Sequence, residues 1–289
     1  VELLKEMVAI PSPSFHEDAV CSHISNWLTS KGIEHERIGN NIIAEHIVDP
    51  SEPTLMLCAH IDTVDPCEGY TFDPYKPENC PTDMVQGLGS NDDGASVVSM
   101  IAAYRFFHTI GSGAGVKIFN TCPTTRNITL VLTCEEERSG KGGMTGLWGK
   151  RLNRIDYAIV GEPTEMKAAT SERGLLVIDA TAHGISGHAA RNEGKNALYI
   201  ALEDIERLRK REFSRVSPKM GKVNINVTQI NAGSAHNVIP DRCDFVIDIR
   251  PTEQYTNEEI LEELQKICES ELKARNLTNR SSATHEDSP

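Results

Sequence analysis

Four short segments of the chain carry side chains that could bind a catalytic metal ion. Histidine nitrogen and carboxylate oxygen are ligands of catalytic zinc, which keeps one position open for water. When two such ions share a carboxylate, the pair holds the attacking and the leaving oxygen and lowers the pKa of the water. We therefore interpret these segments as one two-metal hydrolytic site: His60-Ile61-Asp62, Asn91-Asp92-Asp93-Gly94, Glu135-Glu136-Glu137 and Gly161-Glu162-Pro163.

Three of these segments follow apolar, β-like runs, at 54–59, 128–132 and 157–160. Side chains at strand ends converge on one edge of an α/β sheet. The remaining segment, Asp92-Asp93, follows a glycine-rich turn and precedes a helical pattern. Two of the three adjacent glutamates can serve such a site together, one as a zinc ligand and its neighbour as the general base.

Each segment alone also has an ordinary structural interpretation. His60 could be a buried histidine satisfied by Asp62, and Asp92-Asp93 could be an acidic helix N-cap. The three glutamates could form a solvated acidic turn, and Glu162 could be a loop acid. However, three adjacent carboxylates after so apolar a strand repel one another unless a cation neutralises them. Four such segments in order therefore favour the metal site.

The pattern around these segments predicts two domains of alternating strands and helices within 289 residues, of which 39% are hydrophobic. Ser14 and Glu17 have the spacing of a capping box for an early helix that ends near Gly32. A Gly-, Thr-, Asn- and Pro-rich stretch at 111–127 predicts a long surface loop. The second half has a β-α-β-β-α order that suggests a ferredoxin-like domain. Its predicted elements are strand 175–180, helix 196–211, strand 223–230, strand 243–249 and helix 257–274.

Charge and composition exclude several classes of partner. The net charge is −13, from 29 basic and 42 acidic side chains, and no Lys/Arg cluster interrupts it, so we expect no nucleic-acid partner. No apolar run is long enough to cross a bilayer, so we expect no membrane partner. The eight cysteines show no C-x-x-C pairing and several lie in apolar segments, which predicts reduced thiols in a cytoplasmic protein.

The motifs together resemble a known family, and the resemblance covers essentially the whole chain. The chain is similar to the dinuclear zinc amidohydrolases and peptidases that include acetylornithine deacetylase, succinyl-diaminopimelate desuccinylase, aminoacylase and glutamate carboxypeptidase. The D-G-A sequence at 93–95 most resembles bacterial acetylornithine deacetylases. The motifs that carry the resemblance are H-I-D-T-V at 60–64, G-L-G-S-N-D at 87–92, Glu136-Glu137, V-G-E-P-T at 160–164, S-G-H-A-A at 186–190 and H-N-V-I-P-D at 236–241.

This resemblance implies a role for each residue of the metal site. Asp92 would bridge two zinc ions, for which cobalt or manganese could substitute, and the Asp92-Asp93 peptide bond would be cis. His60 and Glu162 would complete one metal, and Glu137 would bind the other. A further implication is that Glu136 is the general base and that Asp62 orients His60 as a catalytic-site residue.

The fold implied by the resemblance is α/β. Residues 1–172 would form a zinc-peptidase-like catalytic domain with a mixed central sheet flanked by helices. A ferredoxin-like α+β lid and dimerisation domain would span 173–280, and 281–289 would begin a return to the catalytic domain. The second metal would then need a histidine beyond residue 289, because His285 follows the lid too closely, so we expect a shortened form of a longer enzyme.

Residues of the lid are expected to complete the active site in a homodimer. In the family a lid histidine stabilises the tetrahedral oxyanion in the other subunit, and this position corresponds to His188. Asn237 and Arg250 correspond to substrate contacts, with Arg250 holding a carboxylate. From the residues alone, His188 could equally be a turn histidine beside Gly187, and Arg250 could be an exposed charge at a strand end.

The expected activity is hydrolysis of an N-acyl amino acid. The resemblance implies a cytoplasmic enzyme that removes an acetyl or succinyl group from N-acyl-ornithine in arginine biosynthesis, with zinc-activated water as the nucleophile. A succinyl-diaminopimelate desuccinylase, or a dipeptidase or aminopeptidase on the same scaffold, is the alternative. A non-catalytic dimeric binding protein is a further alternative, because fold alone does not establish activity.

Overall fold

The computed structural model describes residues 1–76, 83–111, 127–191 and 193–284, and the chain divides into two compact units, Val1–Met166 (unit 1) and Lys167–Pro289 (unit 2). The sequence motifs instead predict a boundary at residue 172. Most of the predicted loop at 111–127, and His285 with the rest of the segment 285–289, lie outside the described residues.

Unit 1 is built on a five-stranded mixed sheet with the strand order β1-β2-β4-β3-β5. Strand β3 is parallel to β4 and β5, while β2 is antiparallel to β4. The mixed sheet of the expected catalytic domain is therefore confirmed. Its elements are α1 Glu2–Val8, α2 Asp18–Ser30, β1 Glu36–Ile38, β2 Asn41–His46, β3 Thr54–His60, α3 Gly94–Gly111, β4 Asn127–Thr133, α4 Met144–Leu147 and β5 Tyr157–Val160.

Strand β4 lies at the centre of unit 1 and is buried on both faces. All seven of its residues are buried, which explains why the six residues after Asn127 are an unbroken run of Ile, Thr, Leu and Val. Leu130 belongs to the apolar cluster that includes residues of α1, α2 and α3, and its neighbour Val131 packs in a second cluster with Leu147 and Leu152. Alternate side chains thus anchor both layers and fix the position of the strand's carboxyl end.

Unit 2 contains a four-stranded antiparallel sheet with the order β12-β7-β11-β9. Side chains of β7 are alternately buried and more exposed, so one face of the sheet packs while the other meets solvent. The elements of unit 2 are β6 Ser171–Glu172, β7 Leu176–His183, β8 Gly187–His188, α5 Ala197–Lys210, β9 Asn224–Ala232, β10 Val238–Ile239, β11 Arg242–Arg250, α6 Asn257–Gln265, β12 Glu271–Ala274 and β13 Ser282–Ala283.

Unit 2 has the ferredoxin-like arrangement that the sequence suggested. Its elements follow in the order β7-α5-β9-β11-α6-β12, and the first of these strands lies between the third and the fourth in the sheet. One predicted element is wrong, since the helix predicted over 257–274 ends at Gln265 and strand β12 follows it. The buried Asp204 carboxylate accepts the N–H groups of Glu269 (3.0 Å) and Ser270 (2.8 Å). These amides are therefore unavailable to continue the helix, and the chain turns into an edge strand of the sheet.

Helix ends show a second difference from the sequence prediction. The capping box predicted at Ser14 and Glu17 does not form, because neither side chain caps α2. A true capping box instead begins α6, where the Thr256 hydroxyl accepts the Glu259 N–H (3.1 Å) and the Glu259 carboxylate accepts the Thr256 N–H (2.8 Å).

The described part of the chain also bears on two expectations from composition. None of its helices is long and apolar enough to cross a membrane. Six cysteines in it carry free thiols, and these are Cys21, Cys58, Cys67, Cys134, Cys243 and Cys268.

Candidate metal centre

The ends of strands β3 and β5 carry two of the candidate ligands. His60, the last residue of β3, is buried, and its Nε2 lies 3.0 Å from Oδ1 of Asp92. The Gly161 N–H binds the Cys58 carbonyl (2.7 Å), so Glu162 follows directly on the end of β5. One potential ligand atom from each of His60, Asp92 and Glu162 lies within 4.8 Å of the others. The structure thus brings together three of the four predicted metal ligands.

Asp92 reaches the site from the turn before α3. Gly89 in this turn has a φ of +74°, and an added Cβ would meet Cγ2 of Thr63 at 2.5 Å, so the turn requires glycine there. The peptide bond between Asp92 and Asp93 is cis. Oδ2 of the buried Asp93 accepts the backbone N–H of His60 at 3.1 Å, which ties this turn to the end of β3.

Asp62 links the histidine to the acidic segment. Its carboxylate, in a residue only 1% exposed, accepts the backbone N–H groups of Glu136 (3.0 Å, Oδ1) and Glu137 (3.1 Å, Oδ2). Nδ1 of His60 lies 3.0 Å from the Asp62 carbonyl oxygen and 3.5 Å from its carboxylate. Asp62 therefore lies where the sequence expects an orienting group for His60, and it also holds the turn of Glu136 and Glu137, which the sequence did not indicate.

The three glutamates after β4 separate into two roles. Oε2 of Glu136 lies 4.0 Å from Nε2 of His60, and the Glu136 side chain is about half exposed. Glu137 is outside the three-ligand group, but burial and the negative charge of Asp92 raise the pKa of its carboxyl. The Glu135 carboxylate instead accepts the N–H of Gly142 (2.8 Å) and closes the turn.

Charge accumulates at this site without enough positive charge to balance it. Burial lowers the pKa of His60, but its hydrogen bond to Asp62 and the charges of Asp93, Asp62 and Glu136 outweigh burial and raise that pKa to about 10. Glu162 remains accessible to solvent, yet desolvation and then the charges of Asp93, Glu136 and Asp92 raise the pKa of its carboxyl to about 7. Desolvation, and then the charge of Asp92, raise the pKa of Asp93 to about 6.

These features fit a divalent metal ion. An imidazole nitrogen and carboxylate oxygens are the donor set of catalytic zinc, and cobalt and manganese accept the same donors. A cation here would relieve the repulsion that raises the carboxyl pKa values and would take the place of the proton that His60 attracts.

The lid-type residues His188 and Asn237 lie beside each other in unit 2. His188 pairs with Val238 between strands β8 and β10, and the Ala189 N–H binds the Asn237 carbonyl (3.0 Å). Nδ1 of His188 accepts the Ala190 N–H (3.2 Å), so a neutral His188 carries its proton on Nε2. The side chain is exposed and can present that proton as a hydrogen-bond donor.

Arg250 lies elsewhere in unit 2. It is the last residue of β11, and Arg242 at the other end of the strand pairs with His183, just before the segment of His188. The length of β11 therefore separates Arg250 from that end by about 25 Å. The guanidinium of Arg250 makes two hydrogen bonds to Asp248, of 2.8 and 3.1 Å, so its carboxylate-binding face is already used within the chain.

Ser14 and Glu17 are connected to the site, and the sequence interpretation missed this. The Ser14 hydroxyl donates to Oδ2 of Asp62 (2.7 Å), and the buried Glu17 accepts the N–H of Glu135 (3.1 Å). A polar pair in a proline-containing segment was the available signal, but its i, i+3 spacing pointed to a local capping box.

Comparisons with known proteins show what the two units are similar to. Residues 41–159 match the model of peptidase family M28, and residues 170–276 match the peptidase dimerisation domain of the M20 type. A succinyl-diaminopimelate desuccinylase of Wolbachia pipientis is 26% identical over 98% of this chain and 72% of its own length. An acetylornithine deacetylase of Proteus mirabilis is 28% identical over 87% of this chain and 66% of its own length.

Solved structures show the same fold. The YxeP protein of Bacillus subtilis, described as a dinuclear metal-binding peptidase of the M20 family, matches with a TM-score of 0.66 and 16% identity over 99% of this chain and 75% of that one. The α/β fold inferred from the motifs is therefore confirmed. Both the motifs and the comparisons show that the chain is similar to M20 metallopeptidases and deacylases, and residues 170–276 match the M20 peptidase dimerisation domain.

Proposed function

We propose that the protein is a metal-dependent hydrolase that cleaves the amide bond of an N-acyl amino acid in the cytoplasm. The observation that carries this proposal is the convergence of His60, Asp92 and Glu162 within 4.8 Å, with the carboxylate of Glu136 4.0 Å from His60. A ligand set next to an accessible carboxylate is what metal-assisted hydrolysis requires, because the attacking water must be both activated and deprotonated.

In this proposal the site holds two zinc ions. His60, Asp92 and Glu162 would hold one of them, and Glu137 would help to hold the other. When bound, the metals supply Lewis-acid polarisation of the acyl carbonyl and a water of lowered pKa. Asp62 keeps the ring of His60 and the turn of Glu136 and Glu137 in place through the hydrogen bonds that it accepts.

Glu136 is the general base of the proposed reaction. Its carboxylate takes a proton from the attacking water and then delivers that proton to the nitrogen of the leaving amine. A half-exposed carboxylate suits this role, since it must meet water first and the substrate nitrogen afterwards.

The proposed active form is a homodimer. The match of residues 170–276 to the M20 peptidase dimerisation domain supports this. In such a dimer, Nε2–H of His188 would donate to the developing oxyanion in the site of the second copy. Asn237, whose backbone adjoins His188, is proposed as a substrate contact. Arg250 is proposed to hold a substrate carboxylate, which would require it to exchange Asp248 for the substrate.

The proposed substrate is an N-acetyl or N-succinyl derivative of a diamino acid. N-acyl-ornithine is one candidate, supported by similarity to an acetylornithine deacetylase. Similarity to succinyl-diaminopimelate desuccinylases supports N-succinyl-diaminopimelate as the second, so a place in arginine synthesis is not favoured over one in lysine synthesis. The two acyl groups differ by one carboxylate, so a single well-placed cation would select between them.

Metal uptake and hydrolysis, measured together, test this proposal. We expect the metal-free protein to bind cobalt or zinc and then to hydrolyse either N-acetylornithine or N-succinyl-diaminopimelate, and not dipeptides with a free amine. His60→Ala should abolish uptake, whereas His183→Ala, which changes an exposed histidine of unit 2, should not. Cleavage only of substrates with a free amine would replace the deacylase by a peptidase. A protein that binds no metal and cleaves none of these substrates would instead be a non-catalytic dimeric binding protein.

A further inference from the structure

Glu17 is a fully buried carboxylate whose hydrogen-bond partners are all neutral N–H groups. Its residue is 0% exposed, Oε1 accepts the N–H groups of Phe15 (2.7 Å) and Glu135 (3.1 Å), and Oε2 accepts Nδ2 of Asn40 (3.1 Å). Within the described part of the chain, no Lys, Arg or His forms an ion pair with it. A buried charge without an opposite charge is costly, and only its hydrogen bonds compensate.

The partner of greatest consequence is the N–H of Glu135. Glu135 has a φ of 58°, in the left-handed region that residues other than glycine rarely adopt, and it stands where β4 ends and the acidic turn begins. The conformation of this one residue sets the direction in which Glu136 and Glu137 leave the strand. Glu17 holds the amide of the residue that makes that change of direction.

Three successive backbone N–H groups of the turn are in fact bound by two buried carboxylates. Glu17 accepts the N–H of Glu135 (3.1 Å), and Asp62 accepts those of Glu136 (3.0 Å) and Glu137 (3.1 Å). The turn is therefore fixed at each residue by an acceptor from another part of the chain.

The segment that carries Glu17 also fixes the second carboxylate. The Ser14 hydroxyl donates to Oδ2 of Asp62 (2.7 Å), and the Ser14 N–H binds the Thr63 carbonyl (3.1 Å). The Thr63 N–H in turn binds the Ser12 carbonyl (2.9 Å). Residues 12–17 thus hold both the segment after His60 and the acidic turn.

We infer that Ser14 and Glu17 are positioning residues, which hold the backbone of the Glu135–Glu137 turn so that the side chains of Glu136 and Glu137 face His60. Neither residue contacts the reacting atoms, and both act through Asp62 and the turn. The catalytic meaning of this inference rests on the proposed function, whereas the positioning itself is a property of the chain alone.

Unit 2 offers a matched control for Glu17. Asp204 is also 0% exposed, and its carboxylate likewise accepts two backbone N–H groups, those of Glu269 (3.0 Å) and Ser270 (2.8 Å). No residue of the candidate metal centre belongs to that turn. Asp204 differs from Glu17 in that it also pairs with Arg207 (2.6 Å), but it has the same burial and likewise holds backbone amides. Replacing it therefore shows what the loss of such a carboxylate does outside the candidate metal centre.

The test compares Glu17→Ala, Glu17→Gln and Asp204→Ala in the full chain, with cobalt as the probe. Hydrogen exchange of the Glu135, Glu136 and Glu137 amides and the cobalt dissociation constant are measured for each. We expect Glu17→Ala to accelerate exchange at these amides and to weaken cobalt binding by about 10–100-fold, the usual effect of losing a group that supports metal ligands. Glu17→Gln keeps an oxygen acceptor and should restore most of both values.

Asp204→Ala should lower the melting temperature without changing cobalt affinity or exchange at residues 135–137. If Glu17→Ala lowers the melting temperature in the same way and leaves both other values at the wild-type level, Glu17 is only structural and the inference is wrong. If the wild-type protein binds no cobalt, the proposed function fails. Exchange at the three amides alone then decides whether residues 12–17 position the turn.

Discussion

Raised carboxyl pKa values occur in unit 1 and not in the described part of unit 2, although two carboxyls of unit 1, Asp49 and Asp62, have lowered pKa values. In unit 1, the pKa values of Asp93, Glu137 and Glu162 are raised, and all three groups lie at the candidate metal centre. In the described part of unit 2, every acidic group with a shifted pKa is shifted downwards. These groups are Asp179, Glu206, Glu212, Asp244, Glu253, Glu258 and Glu259.

The difference arises from the partners of each group. In unit 2, hydrogen bonds from Arg275 lower the pKa of Asp179, and hydrogen bonds from Arg242 and then Thr181 lower that of Asp244. In unit 1, desolvation is the first cause of each upward shift, and neighbouring carboxylates add to it. Unit 2 therefore stabilises its ionised acids with hydrogen bonds and cations of its own, whereas unit 1 concentrates acids at one point that is short of positive charge.

Glu136→Gln should show most strongly that the acids of unit 1 serve chemistry. The amide cannot take a proton from water, so we expect turnover to fall by about 10²–10⁴-fold. Metal content should be unchanged, because Glu136 is not among the three residues that converge as ligands. Single-turnover hydrolysis and metal analysis of the same samples measure the two effects.

Asp244→Asn in unit 2 is the control for that variant. Its carboxylate is bound by Arg242 (2.7 and 2.9 Å) and Thr181 (2.7 Å), so its loss should leave turnover unchanged. If Glu136→Gln keeps full turnover, or if both variants lose turnover equally, the acids of unit 1 would not differ from those of unit 2 in serving catalysis.

Metal binding should stabilise the two units unequally. At a free cobalt concentration about 1,000 times the dissociation constant, a ligand that binds only the folded state adds about 4 kcal/mol. We expect hydrogen exchange to slow in the strands of unit 1, above all at the end of β3, and to stay unchanged in β7 and β11. The His60→Ala variant should lose this response. Equal slowing of exchange in both units would show that cobalt does not act by neutralising the carboxylates of the candidate metal centre in unit 1.

Asp62→Asn should have a smaller effect on stability. The carboxylate accepts hydrogen bonds from Ser14, Glu136 and Glu137, and an amide offers only one oxygen to them. Leaving one buried donor unsatisfied costs about 1–3 kcal/mol, which thermal unfolding would measure. Asp204→Asn should cost a similar amount in unit 2 without weakening cobalt binding, whereas Asp62→Asn should weaken it. Unchanged cobalt affinity in Asp62→Asn would separate this carboxylate from the metal site.

The sequence predicted those parts of the site that follow from local pattern. Strands β3, β4 and β5 were recognisable because each is an apolar run with a histidine or glutamate at its end or within two residues after it, and parallel neighbours bring such ends together. His60 and Glu162 could be placed in this way before any coordinates. The ferredoxin-like order of unit 2 followed from the same alternation of strands and helices.

What the sequence did not reveal depends on contacts between distant segments. Ser14 and Asp62 are 48 positions apart, and Glu17 and Glu135 are 118 apart, so no local spacing could join them. The capping-box pattern offered a local interpretation that tertiary contacts overrode. Strand β12 was missed for the same reason, because its pairing with β7 and the hydrogen bonds of Asp204 lie outside its own segment.

Acidification should affect the lowered carboxyls of unit 2 and the raised carboxyls of unit 1 in opposite senses, and this is the smallest of the expected effects. A carboxyl whose pKa is lower in the folded than in the unfolded state contributes stability above about pH 4, and that contribution is lost as the pH falls through the folded value. Asp179 and Asp244 are such groups, but their side chains are about half exposed, so each contributes less than about 1 kcal/mol. In metal-free unit 1, the carboxyls with raised pKa values contribute to stability with the opposite sign. Their ionised forms disfavour folding, and their protonation below pH 7 removes this destabilisation. Hydrogen exchange measured between pH 7 and pH 3 should therefore show unit 2 losing protection only near and below pH 4. Asp179→Asn should reduce that loss. A loss of protection in unit 2 already at pH 6 would contradict the pairing described for its acids.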